Sequence, residues 1–166
     1  ALERTDCEVW AVDQSSAALS IARHNALALG ANVHWHQGHW FEGLENIRFD
    51  MLVSNPPYIA DSDPHLSRGD VRFEPRTALV SGREGMADIE FLITSASENL
   101  TDDGWLLIEH GYDQSDACKL LNIRHSFRNI VTFCDLAGHP RVTGGRRPLI
   151  VPSKAICISN AVHRHE

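Results

Sequence analysis

Positive charge is the first thing this chain is short of. Fifteen Lys and Arg stand against 22 Asp and Glu, for a net charge of −7 and a pI of about 5.8. A phosphate backbone demands a broad basic surface, so nucleic acid is not the expected partner. Cysteine is sparse as well. Cys7, Cys118, Cys134 and Cys157 stand far apart with no C-x-x-C pair. That spacing excludes a zinc ribbon and suits a reducing compartment better than a disulfide framework. No apolar run approaches the roughly 20 residues of a membrane helix, and no signal-peptide pattern is present. A soluble cytoplasmic protein is the expectation. A glycine-rich turn is missing too. Nucleotide-type α/β domains normally open with a strand and such a turn, yet no G-x-G precedes Asp13. The opening "ALERTDCEVW" reads as the tail of a helix. The chain therefore reads as truncated at its amino end, lacking a first strand and its glycine loop.

What is present is ample for one domain: 166 residues, 43% of them hydrophobic, with no internal repeat or low-complexity linker. "CEVWAVD" (7–13) alternates and ends on an acid, as a strand does. Residues 15–30 carry apolar side chains at helical spacing, with Ser15 as N-cap and Gly30 as the closing left-handed residue. Short strands are expected at 32–37 and 49–55, then a long loop over 56–84 and a second amphipathic helix over 85–100. Asp102-Asp103-Gly104 reads as the turn after it. A strongly apolar strand at 104–111, a helix over 113–125 and a strand at 128–135 complete the pattern. Strands alternating with helices imply right-handed crossovers and a mostly parallel sheet covered on both faces. In such folds ligands bind at the carboxyl ends of strands. Asp13, Asn55 and the Glu109-His110 pair all fall at such ends.

The stretch "DMLVSNPPYIADSDPHL" (50–66) breaks a rule of chain design. The apolar run Met51-Leu52-Val53 is stopped at once by Asn55, Pro56 and Pro57. Proline has no N–H and fixes φ, so the pair ends both ladder pairing and helix formation. A strand-ending turn uses the same residue types. The functional reading is a clamp for a planar nitrogen. A carboxamide or exocyclic amine is a poor nucleophile because its lone pair is delocalised. Two acceptors aimed at its hydrogens, the Asn55 side-chain carbonyl and the Pro56 backbone carbonyl, hold it and favour pyramidalisation toward an electrophile. Fixed dipoles of this kind stabilise developing charge. Tyr58 packs on the planar group and attracts a nearby cation through its ring face.

With "AVDQSSAALSIARHNA", "HWFEGL", "FDMLVSNPPYIADSDPHLSRGDVRFEPRTALVSGREGMADI", "GWLLIEHGYDQSDA" and, faintly, "RVTGGRR", the chain resembles the methyltransferase domain of the release-factor glutamine N5-methyltransferases. The long loop is the most specific part, because DNA adenine methyltransferases share only the short Asn-Pro-Pro-Tyr. The resemblance covers most of residues 1–147 and leaves 148–166 as a tail of unknown role. It implies a Rossmann-like methyltransferase fold, S-adenosylmethionine as cofactor, and methyl transfer to the glutamine of the Gly-Gly-Gln loop in peptide chain release factors. Asn55 and Pro56, with Pro57 and Tyr58, would hold that glutamine, and Asn55 would also stand beside the cofactor. Asp13 would accept from ribose hydroxyls, and Trp40 corresponds to an aromatic of the cofactor pocket. His39 departs from the family, which usually carries an acid there to accept from the adenine amino group. A neutral His accepts only in the right tautomer. Two alternatives stand beside this reading: a truncated or degenerate homologue that binds protein without catalysis, and an adenine-N6 methyltransferase, which charge and loop disfavour.

Other residues invite lesser readings. Alternation puts His34 and His36 on one strand face, near His39, yet surface or core histidines are expected there and no metal. Arg72, Phe73, Glu74 and Pro75 form the family's "RFEP" element, which shapes a substrate loop or pairs on a solvated face. Glu109 and His110 are read as a strand end and pocket wall. No general base stands out.

Overall fold

A computed structural model of the chain describes residues 1–67, 73, 75–82 and 84–148. Arg72, Glu74 and the tail from 149 onward lie outside the described residues. Strand β1 (Trp10–Asp13) leads into helix α1 (Ser16–Leu29) and β2 (His34–Gln37), and β1 and β2 pair in parallel. Both expected caps of α1 are in place. The Ser15 hydroxyl accepts from the Ala18 N–H at 3.2 Å, and Gly30, at φ 69°, closes the helix in the left-handed region. Each satisfies backbone groups that a helix end leaves without partners.

The second sheet has the order β3-β4-β6-β5, built from β3 (Phe49–Ser54), β4 (Leu100–Glu109), β5 (Arg128–Cys134) and β6 (Pro140–Arg146). β3 and β4 are parallel, and β6 runs antiparallel between β4 and β5. Gly144 lets β6 lie against β4, since a Cβ there would collide with the Leu106 carbonyl. Helix α2 (Ala87–Asn99) joins β3 to β4, and α3 (Ser115–Arg124) joins β4 to β5. The long β3–α2 connection is crossed by an isolated bridge, Ile59 to Val80.

The core lies between β4 and the two helices. Ile89, Leu92, Ile93 and Ala96 recur at helical spacing on α2 and pack with Leu100, Leu106, Ile108, Cys118 and Phe127. The opposite face of β3 is different: Met51 is 52% exposed and Val53 70%. β1 and β3 are not paired with each other. Their starts meet through the rings of Trp10 and Phe49, edge to face at 6.2 Å. Each of these strands thus has one neighbour among the described residues, with an apolar stripe on β3 left open.

Three expectations are corrected. Residues 1–9 are not helical but turns and bends, where the Arg4 guanidinium pairs with Asp6 two residues on, at 2.8 Å. Asp102-Asp103-Gly104 is not the turn after α2. β4 starts directly at Leu100 and carries these residues through a register shift against β3. Arg146 and Arg128 pair with Asp103, and Arg147 reaches Asp102 at 3.2 Å, so the acids find partners without leaving the strand. Residues 140–146, read only as a family motif, form strand β6.

Candidate functional site

Asp13, Gln37 and Asn55 stand at or just past the carboxyl ends of β1, β2 and β3. Asp13 is exposed, and its Oδ1 accepts from the Ser15 N–H at 2.7 Å. Beside it runs an open groove of about 490 Å³ lined by Gln14, His36, Gln37, Gly38, His39 and Glu42, with Gly43 at its wall. His36 is engaged by the loop that follows its strand. Its Nε2 lies 2.7 Å from the Glu42 carbonyl, so the ring donates there and ties the loop after β2 back onto the strand. His34 stacks on Trp10 at 4.9 Å between centroids. No cluster of three potential metal ligands exists among the described residues.

His39 is exposed in this groove. Trp40 behaves differently: it is half-buried, packs on the core cluster, and takes a left-handed φ of 53° that is unusual for so bulky a residue. Its indole Nε1 is buried without a hydrogen-bond partner among the described residues. The groove lining and the packing therefore divide the two neighbours, His39 outward and Trp40 inward.

The Asn-Pro-Pro-Tyr segment leaves β3 at the point where Ser54 pairs with Ile108. Asn55 is exposed and Pro56 fully buried. Tyr58 is half-buried, and its hydroxyl donates to Glu109 at 3.3 Å, binding the turn to the end of the neighbouring strand. Beyond it the Ile59 N–H donates to Leu79 at 2.9 Å and the Asp61 N–H to Gly82 at 3.0 Å. The backbone is thus held on both sides of the prolines, which have no N–H of their own to contribute.

Two features were not evident before folding. His110 is fully buried. Its Nδ1 donates to the Gly111 carbonyl at 2.7 Å, and its Nε2 accepts from the Thr143 hydroxyl at 2.8 Å, which accepts from Thr132 at 3.1 Å. A carbonyl only accepts, so the proton sits on Nδ1. The network stiffens the end of β4 where Glu109 meets Tyr58. Gln114, next to it in space, bridges the β4–α3 turn to the Tyr58 carbonyl. A polar residue just before a helix was the only signal for it, and caps give that signal commonly. Phe73 is exposed, while Arg72 and Glu74 lie outside the described residues.

Strand order, crossover helices and polar residues gathered at strand ends define a Rossmann-like methyltransferase fold of the S-adenosylmethionine-dependent class. A methyltransferase solved from Pyrococcus furiosus has the same fold, with a TM-score of 0.66 at 15% identity over 89% of this chain and 68% of that one. The profile of the Methyltransferase small domain family matches residues 1–70. Over most of its length the chain is similar to the release factor glutamine methyltransferases. It is 49% identical to the release factor glutamine methyltransferase of Salmonella typhimurium over 147 residues, which are 88% of this chain and 53% of that protein. It is 47% identical to the one from Xylella fastidiosa over 149 residues, 89% of this chain and 54% of that protein. The chain spans about half the length of the curated relatives it matches. No described helix is long and apolar enough to cross a membrane.

Proposed function

We propose that this chain carries the site for methyl transfer from S-adenosylmethionine to the side-chain amide nitrogen of the glutamine in the Gly-Gly-Gln loop of peptide chain release factors, a step of translation termination in the cytoplasm. Residues 1–147 are the catalytic domain in this reading. The observation that carries it is the proline-locked Asn55–Tyr58 turn, with Asn55 exposed at the end of β3 and Pro56 buried beneath it. The names of the relatives support the same substrate.

The residues at the strand ends fit the nucleoside part of the cofactor. The Asp13 carboxylate stands exposed for vicinal hydroxyls, and the adjoining groove is of nucleoside size, with His39 at its rim. The bound cofactor supplies an electrophilic methyl group on a sulfonium. The protein's part is positioning: Asn55 Oδ1 and the Pro56 carbonyl accept the two hydrogens of the substrate amide, so its nitrogen turns its lone pair outward. The same two dipoles stabilise the positive charge that develops on that nitrogen until its proton leaves. The Tyr58 ring packs beside the amide and excludes water.

Asn55→Ala in the full-length protein is the test. Removing one of two charge-stabilising dipoles is expected to lower methyl transfer to a release factor by at least about 10²-fold, with S-adenosylmethionine affinity little changed. Full activity in that variant would sink the clamp. Transfer to DNA adenine in place of release factor would move the substrate to another class.

A further inference from the structure

Gln114 ties together three segments that converge beneath the Asn-Pro-Pro-Tyr turn. Its side-chain Oε1 accepts from the Gly111 N–H at 2.9 Å. Its Nε2 donates to the Tyr58 carbonyl at 3.1 Å and lies 3.4 Å from the carbonyls of Glu84 and Gly85. One end of the amide therefore meets a donor and the other meets only acceptors, which leaves a single orientation and requires hydrogens on the second end. Gly85 shows how closely the segments meet. It sits at φ 71°, and a Cβ on it would collide with the Tyr58 carbonyl and come within 3.0 Å of Gln114 Nε2. Pro56 and Pro57 donate nothing, and the carbonyl of Tyr58, two residues on, is a backbone handle from which the Pro56 carbonyl can be aimed.

We propose that Gln114 is a positioning residue for methyl transfer: by donating to the Tyr58 carbonyl it sets the direction of the Asn55 and Pro56 acceptors, without touching substrate or cofactor. The proposal rests on the clamp reading above and adds to it a residue 56 positions away in the chain. Two variants separate this role from that of a residue that only closes the β4–α3 turn through the Gly111 N–H. Gln114→Leu removes both functions. Gln114→Glu retains the acceptor for the Gly111 N–H but offers no hydrogen to the carbonyls, whose partial charges a carboxylate repels.

The experiment measures kcat and KM for methyl transfer to a release factor with the full-length variants. It adds S-adenosylmethionine binding by calorimetry and amide hydrogen exchange at Ile59 and Asp61. Both variants are expected to lose kcat by about 10²-fold, the size of effect that misplacement by an ångström produces, with cofactor affinity within about threefold of the parent. Exchange at Ile59 and Asp61 is expected to quicken. Parent-like kcat in Gln114→Glu overturns the proposal, because closure of the β4–α3 turn alone would tolerate that change. If the parent itself transfers no methyl group, the clamp reading fails instead. The role in methyl transfer falls with it, and exchange then reads only whether Gln114 holds the Asn55–Tyr58 turn: quicker exchange in Gln114→Glu shows that it does, and unchanged exchange overturns that as well.

Discussion

A buried thiol beside Leu106 and Ile108 belongs to the core and not to chemistry. Cys118 is 1% exposed, and burial pushes its thiol up to about 12. The thiolate is the reactive form, so at pH 8 only about one molecule in 10⁴ carries it, by the ordinary titration relation. Cys7 and Cys134 are exposed. A thiol reagent at pH 8 is therefore expected to label Cys7 and Cys134 in the native chain and Cys118 only after denaturation; peptide mapping of the labelled protein decides it. Labelling of Cys118 at the rate of the other two would mean that α3 lifts from the sheet. Residue-scale reasoning also separates Asn55 from Asp13. Both are exposed polar strand ends, yet only Asn55 is followed by two residues without N–H groups, and that places a rigid carbonyl beside it.

At the scale of elements, the β5–β6 connection rests on one carboxylate. Asp135 Oδ1 accepts from the N–H groups of Ala137 and His139, both at 2.9 Å, and Oδ2 accepts from Arg141 at 3.0 Å. The His139 N–H is the largest influence and the Arg141 guanidinium the next, and together they hold the Asp135 carboxyl below the usual range. A carboxyl whose folded pKa is depressed contributes stability above its unfolded pKa, near 4, and loses it as pH falls through the folded value. Asp135→Asn is thus expected to lower the melting temperature at pH 7, with the deficit narrowing below about pH 4 as the parent loses its charge too. A deficit independent of pH would assign the effect to the turn's hydrogen bonds alone. The turn matters to the site because β6 carries Thr143, which holds His110 at the end of β4.

At the scale of the whole molecule, the two sheets present edges that do not pair with each other, and β3 bears Met51 and Val53 in the open. An apolar strand with unmet N–H and C=O groups is a template for association. The 166-residue chain on its own is expected to self-associate at micromolar concentration. Met51→Thr with Val53→Thr should shift it toward monomer while keeping β propensity. Sedimentation velocity reads the outcome; a monomeric parent would mean that the open face is covered. The groove beside Asp13 belongs to this scale also, since it needs both β1 and β2 in register.

Much of the fold was legible because it is local. Ser15 and Gly30 bound α1 by capping rules that operate within four residues, and the alternation of strands and helices follows from period. Pro56 and Pro57 stop β3 wherever they occur, so the turn carrying Asn55 was readable before any contact was known. Asp102-Asp103-Gly104 misled because its composition is that of a turn, while Arg128, Arg146 and Arg147, distant in sequence, hold it inside a strand. Gly144 and Gly145 weaken the propensity signal of β6, and only the close approach of Leu106 to the first and of Ile130 and the Arg128 carbonyl to the second shows why they are there. Trp40 packs against the core cluster, a contact that its place after β2 in the chain did not specify. The sequence by itself determined the caps of α1 and the proline-locked turn that ends β3, each set by the chain's own backbone. Tertiary structure alone decided the partners across β4, Gln114 under Tyr58 and Thr143 against His110, because hydrogen bonds between segments 33 to 56 residues apart leave no periodic trace in the chain.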